Sequence, residues 1–143
     1  MSTYPEECIL AIERRTLPGE SEEKALQEIA DACAAVKAKN PQLDARVTLS
    51  TAQLPSNVSL DAPIVQRLRG ALESEGIAVK IEGFSAWTDA ALLNAVGVPT
   101  ICFGPGDIAL AHAAEEFVQV EEIEAATRVL TRVVREWCTG GRS

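Results

Sequence analysis

The sequence is poor in histidine, with a single residue, His112, in 143, and poor in positive charge, with 13 Lys and Arg against 21 Asp and Glu. A net charge of -8 argues against nucleic acid as a partner, because phosphate binding needs clustered Lys and Arg. One histidine, together with four cysteines (Cys8, Cys33, Cys102 and Cys138) that stand singly, excludes a zinc site of His and Cys built within the chain. No apolar run approaches the ~20 residues of a membrane span. The opening residues MSTYPEEC have neither the basic start nor the apolar stretch of a secretory signal, so a cytoplasmic setting is expected. Internal repeats and low-complexity tracts are missing as well. What remains is a hydrophobic fraction of 47% in a chain of one-domain length, able to bury about 70% of its unfolded surface.

Strand and helix signals alternate along the chain. CILAIERRT (8–16) is expected as a strand ending at Pro18-Gly19,. Ser21 is a good N-cap, Glu22 and Glu23 suit a first turn, and Leu26, Ile29, Cys33 and Val36 recur at helical spacing until Asn40-Pro41,. ARVTLST (45–51) alternates like a strand with one wet face,. AQLPSNVSLDAP (52–63) is rich in turn formers, and a boundary at Asn57 gives two parts, 1–57 and 58–143,. In the second part, Asp61 is expected to cap a helix with Pro63 in its first turn and Ile64, Val65, Leu68, Ala71 and Leu72 on one face, ending at Gly76,. Residues 77–83 read as a strand, 87–97 as a short helix closed by Gly97, and VPTICFG (98–104) as a buried strand,. A final helix over about 121–138 aligns Ile123, Ala126, Leu130, Val133, Val134 and Trp137,. The pattern predicts an α/β second part and an α+β first part.

The Gly104-Pro105-Gly106 loop follows the apolar 98–104 stretch, and loops after strand C-termini are where open α/β sheets hold ligands. His112 lies beyond it, with Glu115 and Glu116 close in sequence. Such an imidazole serves as a metal ligand, a general base or a surface residue. Glu115 reads as a solvated acid, and Trp87 and Trp137 as core or interface anchors. Asn57-Val58-Ser59 matches a glycosylation sequon that, without a secretory signal, reads as chance.

Two distant stretches, YPEECILAIERRTLPGE (4–20) and TDAALLNAVGVPTICFGPGDIALAHAAEEF (88–117), together resemble the zinc-dependent amidohydrolase and exopeptidase family of acetylornithine deacetylase, succinyl-diaminopimelate desuccinylase, aminoacylase and the glutamate carboxypeptidases. The matching motifs are Glu13-Arg14-Arg15 with Pro18-Gly19-Glu20, Thr88-Asp89-Ala90, Gly104-Pro105-Gly106, and His112 to Glu116. The resemblance implies part of an α+β lid (dimerisation) domain over 1–57, followed by the C-terminal part of a zinc-exopeptidase-like α/β catalytic domain over 58–143. It implies His112 as the last ligand of a two-metal centre, zinc with cobalt or manganese as alternatives. Arg15 would meet the substrate carboxylate with its guanidinium fork, and Gly104, Pro105 and Gly106 would line the substrate cleft. Asp89 and Glu116 would support the site, Asp89 reading equally as a helix cap. The substrate class implied is a small N-acyl amino acid or dipeptide, whose amide bond metal-bound water attacks. No catalytic residue itself lies in this chain: the family's His-x-Asp pair, bridging Asp and Glu-Glu pair belong upstream of the lid, so the metal site is incomplete here.

Where many family members carry Asn-x-x-Pro, this chain has Ser2-Thr3-Tyr4-Pro5, and the lid histidine has no counterpart. The resemblance implies a homodimer formed through the lid, with neither nucleic acid nor membrane as partner. Two other readings stand beside it. One is a thiol enzyme pairing Cys102 with His112, against which Cys102 reads as buried in PTICF. The other is a non-catalytic binding or dimerisation module. The cysteines as a whole read as reduced core thiols, and Arg14 as an ordinary strand-edge charge.

Overall fold

A computed structural model describes residues 5–53 and 55–140. Ser2, Thr3 and Tyr4, and Leu54 of the expected junction, lie outside the described residues. The chain divides into two units, Met1–Pro55 and Ser56–Ser143.

In the first unit, Leu17-Pro18-Gly19-Glu20 forms a turn closed by the Glu20 N–H donating to the Leu17 carbonyl at 3.0 Å, with Gly19 at φ 90°. Proline second and a left-handed glycine third are what such a turn requires. Helix α1 (Glu22–Lys39) starts directly after it. The Ser21 hydroxyl accepts the Lys24 N–H at 3.3 Å, satisfying one of the orphan donors of the first turn. Glu22 and Glu23 at this end, and Lys37 and Lys39 at the other, oppose the helix dipole. A hydrogen bond with Ser21 also holds the Glu23 carboxyl below its ordinary range. No residue of α1 is buried; Leu26, Ile29 and Cys33 are half-covered and Val36 is exposed.

The second unit contains α2 (Pro63–Ser74), α3 (Ala90–Ala95), a 3-10 turn (Ile108–Leu110) and α4 (Val120–Thr139). Its core is the seam between α2 and α4, where Ala71 and Leu72 meet Val129 and Val133, with Ile64, Leu68, Ile77 and Val79 packed around them. Both α2 and α3 end in the same way. Gly76 and Gly97 adopt φ 70° and 81°; Ile77 N–H reaches Leu72 carbonyl and Val98 N–H reaches Leu93 carbonyl, each at 3.0 Å. This is the Schellman closure, in which a left-handed residue lets the chain return to cap the last turn.

Four expectations are corrected. The stretches 8–16, 45–51, 77–83 and 98–104 form no strand, and no strand occurs among the described residues. An extended segment becomes a strand only when a neighbour about 4.8 Å away takes up its N–H and C=O groups. Here the ends of two such stretches bond instead to the helices before them. The cap of α2 is Ala62 rather than Asp61; the Asp61 N–H donates to Ser59 Oγ at 3.2 Å, and Pro63, with its preset φ, begins the helix without a side-chain cap. On α4 the buried residues are Ala126, Val129 and Val133, while Ile123, Leu130, Val134 and Trp137 are exposed. The apolar arc of α4 is wider than the face α2 covers. The cysteines are free, but Cys8, Cys102 and Cys138 are exposed and Cys33 is half-covered, so none is a core thiol.

Candidate functional site

The expected site residues of the second unit sit on α3 and on the loop between α3 and α4. Asp89 is the N-cap of α3 through its carbonyl, which accepts the Leu92 and Leu93 N–H groups at 3.0 and 3.3 Å. Its exposed carboxylate makes no capping bond, which leaves that group open to a ligand. Beside it, Thr88 Oγ1 lies 3.3 Å from Cys102 Sγ. Asn94 locks the other end of this stretch: its Nδ2 donates to the Thr100 carbonyl and to Ser56 Oγ (2.8 and 2.6 Å), and its Oδ1 accepts the Thr100 N–H at 2.8 Å. The amide thereby does for Thr100 what a neighbouring strand would do.

Three carboxylates order the loop from Gly104 to Glu116. Glu122, in the first turn of α4, accepts the Gly106 N–H at 2.8 Å. Gly106 has φ 91°, and a Cβ there would stand 3.4 Å from Val118 Cγ2, so a glycine suits both the backbone and the space. Asp107 accepts the Ala109 N–H at 2.9 Å and caps the 3-10 turn. Glu116 accepts the backbone N–H of His112 at 3.1 Å. His112 has φ 65°, the one non-glycine residue with positive φ among the described residues. A bulky residue held there costs about 1–2 kcal/mol, and the imidazole it carries is exposed.

The structure therefore brings Glu116 to the backbone of His112 and ties Gly106 of the Gly104-Pro105-Gly106 loop to Glu122, while Cys102 faces Thr88 rather than His112. Exposed Cys102 corrects the expectation of burial. Arg15 belongs to the first unit, exposed, with Nε 2.6 Å from Glu13 Oε1. Its neighbour Arg14, expected as an ordinary edge charge, is instead a structural clamp. Two of its nitrogens reach the two oxygens of Glu20 at 3.1 Å each, and Nε and Nη2 reach Glu28 at 3.1 and 2.7 Å. That fork and the Leu17 N–H pull the Glu20 carboxyl down to about 2. Glu122 and Asn94 were not singled out by sequence; Glu122 reads there as one more acid at a helix start, and Asn94 as a polar residue in a short helix.

Among the described residues no three His, Cys, Asp or Glu side chains come together as a metal-binding group. A lone imidazole does not hold zinc, which takes three or four protein ligands, so the residues present do not by themselves fit a metal centre.

Residues 8–136 match the profile of peptidase family M20/M25/M40. The chain belongs to that family. Membership of this family implies an α/β fold, although the regular structure among the described residues is helical throughout. The M20 chain is 30% identical over 141 residues to the acetylornithine deacetylase of Myxococcus xanthus, covering 99% of this chain and 36% of that protein. It is 30% identical over 131 residues to the acetylornithine deacetylase of Vibrio cholerae, covering 92% and 33%. It is 40% identical over 48 residues to the N-acetyl-L-citrulline deacetylase of Xanthomonas campestris, covering 34% and 13%. The chain spans about a third of the length of the two acetylornithine deacetylases. No solved structure matches it. No helix among the described residues is long and apolar enough to cross a membrane.

Proposed function

We propose that this M20 chain is the C-terminal portion of a cytoplasmic amide-bond hydrolase acting on small N-acyl amino acids or dipeptides, and that it is inactive by itself. Residues 1–57 are read as part of the lid and 58–143 as part of the catalytic domain. Within this reading His112 supplies one ligand to a two-metal centre whose other ligands come from polypeptide outside this chain. A metal held there by His112 together with those other ligands would supply a polarising centre and an activated water. The chain's own residues do the rest: Glu116 holds the backbone at His112, the Gly104–Gly106 loop lines the cleft with exposed backbone, Asp89 supports it, and Arg15 binds the substrate carboxylate. The observation that carries the proposal is the family match across 8–136, combined with a loop in which the Glu116 carboxylate accepts the backbone N–H of the exposed, left-handed His112.

A second reading, a non-catalytic dimerisation module, draws support from the first unit, where Ile9, Leu10 and Ile12 are 96%, 76% and 60% exposed. Apolar residues in a row call for a partner, and a homodimer through this unit is part of either reading. Equilibrium dialysis against zinc, followed by an assay with N-acetyl amino acids, tests the function. Less than one tightly held zinc per chain and no turnover are expected; stoichiometric zinc with turnover in the purified chain overturns the proposed inactivity.

A further inference from the structure

An arginine side chain carries five N–H donors in one plane, and at Arg14 all of them are engaged. Nε and Nη2 reach Glu28 Oε2 at 3.1 and 2.7 Å, Nη1 and Nη2 reach the two oxygens of Glu20 at 3.1 Å each, and Nη1 also donates to the backbone carbonyl of Arg15 at 3.3 Å. Glu28 belongs to α1, and Glu20 closes the turn before it, where its Oε2 accepts the Leu17 N–H at 2.9 Å as well. The Arg15 carbonyl and the Leu17 N–H, on either side of Thr16, are thus held through one guanidinium and anchored to the helix. Each of these partly exposed charge pairs adds little stability. What the network supplies is direction.

Exposure alternates along this stretch, with the side chains of Glu13, Arg14 and Arg15 76%, 27% and 68% exposed. Successive side chains of an extended chain point to opposite sides, so seating Arg14 against α1 turns Arg15 away from it. Arg15 comes to lie on the side of Glu13, whose Oε1 stands 2.6 Å from Arg15 Nε. A lysine at position 14 would place its three donors on one nitrogen and could not span both acids and the carbonyl. We infer that Arg14 is the positioning residue for Arg15: by fixing the backbone of 15–17 against α1, it presents the Arg15 guanidinium in a preset direction to the carboxylate of an N-acyl amino acid. This rests on the carboxylate-binding role proposed above for Arg15. It adds that an Arg15 released from the clamp binds the same carboxylate more weakly, because the order that Arg14 supplies beforehand must then be imposed on binding.

NMR of the full 143-residue chain tests this, with N-acetylglycine as the probe and its uncharged amide, N-acetylglycinamide, as the control. The Nε–H resonance of Arg15 is expected to shift with the first and not with the second. Arg14→Gln, Arg14→Lys and Glu28→Gln are each expected to weaken that response and to change the backbone coupling of Arg15, at a helix content by circular dichroism equal to the wild type's. For Arg14→Gln the loss of apparent affinity is expected to be about tenfold, the order of magnitude of ordering one backbone residue. Glu28→Gln keeps the bonds between Arg14, Glu20 and Leu17, so it reports on the clamp even if loss of Arg14 unfolds the unit. A merely structural Arg14 lowers the unfolding free energy but leaves the probe response of the folded protein unchanged; that result in all three variants overturns the inference. A wild-type Arg15 that ignores both probes, or answers both equally, overturns instead the carboxylate role of Arg15, and the inference falls with it.

Discussion

The Glu122 carboxylate on α4 accepts the Gly106 N–H at 2.8 Å, and this one bond ties the Gly-Pro-Gly loop to the helix that carries the core. A charged acceptor makes such a bond worth about 1.5–3 kcal/mol where water is excluded and less where it is not. Glu122→Gln keeps an acceptor and Glu122→Ala removes it. Amide exchange at Gly106 is expected to speed up strongly in the alanine variant and weakly in the glutamine variant, with a loss of about 1 kcal/mol in unfolding free energy for alanine. Unchanged exchange in Glu122→Ala would show that the loop is held by other contacts.

Val129 has no exposed surface and Val96 is 75% exposed. Removing two methyl groups from a site closed to water costs about 2 kcal/mol, from ~0.8 kcal/mol per buried carbon with a cavity contribution added. Val129→Ala is therefore expected to lose about 2 kcal/mol in urea unfolding, and Val96→Ala less than about 0.5. Equal losses would place the core elsewhere than the α2–α4 seam.

Gly76 sits at φ 70° with nothing within 4 Å of where a Cβ would be. Space is therefore no obstacle, and Gly76→Ala isolates the backbone cost of a left-handed residue, about 1–2 kcal/mol, offset by the reduced freedom of the unfolded alanine chain. A net loss near 1 kcal/mol in thermal or urea unfolding is expected, and a gain would contradict the Schellman closure of α2.

The carboxyl of Glu20 drops from 4.5 to about 2 because Arg14 grips both its oxygens and the Leu17 N–H adds a third bond. A group whose folded pKa is depressed stabilises the fold above its unfolded pKa and loses that contribution as pH falls through the folded one. The first unit is expected to lose stability between pH 4.5 and 2. Glu20→Gln is expected to be weaker at pH 7 and to show a flatter acid limb in a denaturation series. The same acid limb in both proteins would remove Glu20 from the linkage.

Local chemistry was legible in the sequence, and α1, α2 and α3 show why. Ser21, the acids at its side, and Asn40-Pro41 bracket α1, and the end glycines Gly76 and Gly97 close α2 and α3 where the spacing expects them. Helical bonds join residues four apart, so a short window of sequence holds most of what determines them. The loop of the candidate site was half legible: the Gly104–Gly106 turn and His112 are visible as residue types. Their holders are not, since Glu122 is sixteen positions from Gly106, and nothing local distinguishes it from Glu121.

What the sequence by itself determined is where α1 starts and where α1, α2 and α3 stop, which turns need glycine, and that one imidazole stands alone. Tertiary structure alone decided which half of the apolar arc on α4 is inside. Val129 rather than Leu130 faces α2, because that choice depends on where α2 lies and not on the period of α4. It also decided the fate of the four β-like stretches. Alternation sorts residues to two faces, but a strand exists only when a distant segment supplies the other half of each hydrogen bond. At Thr100 the partner is the side chain of Asn94 instead.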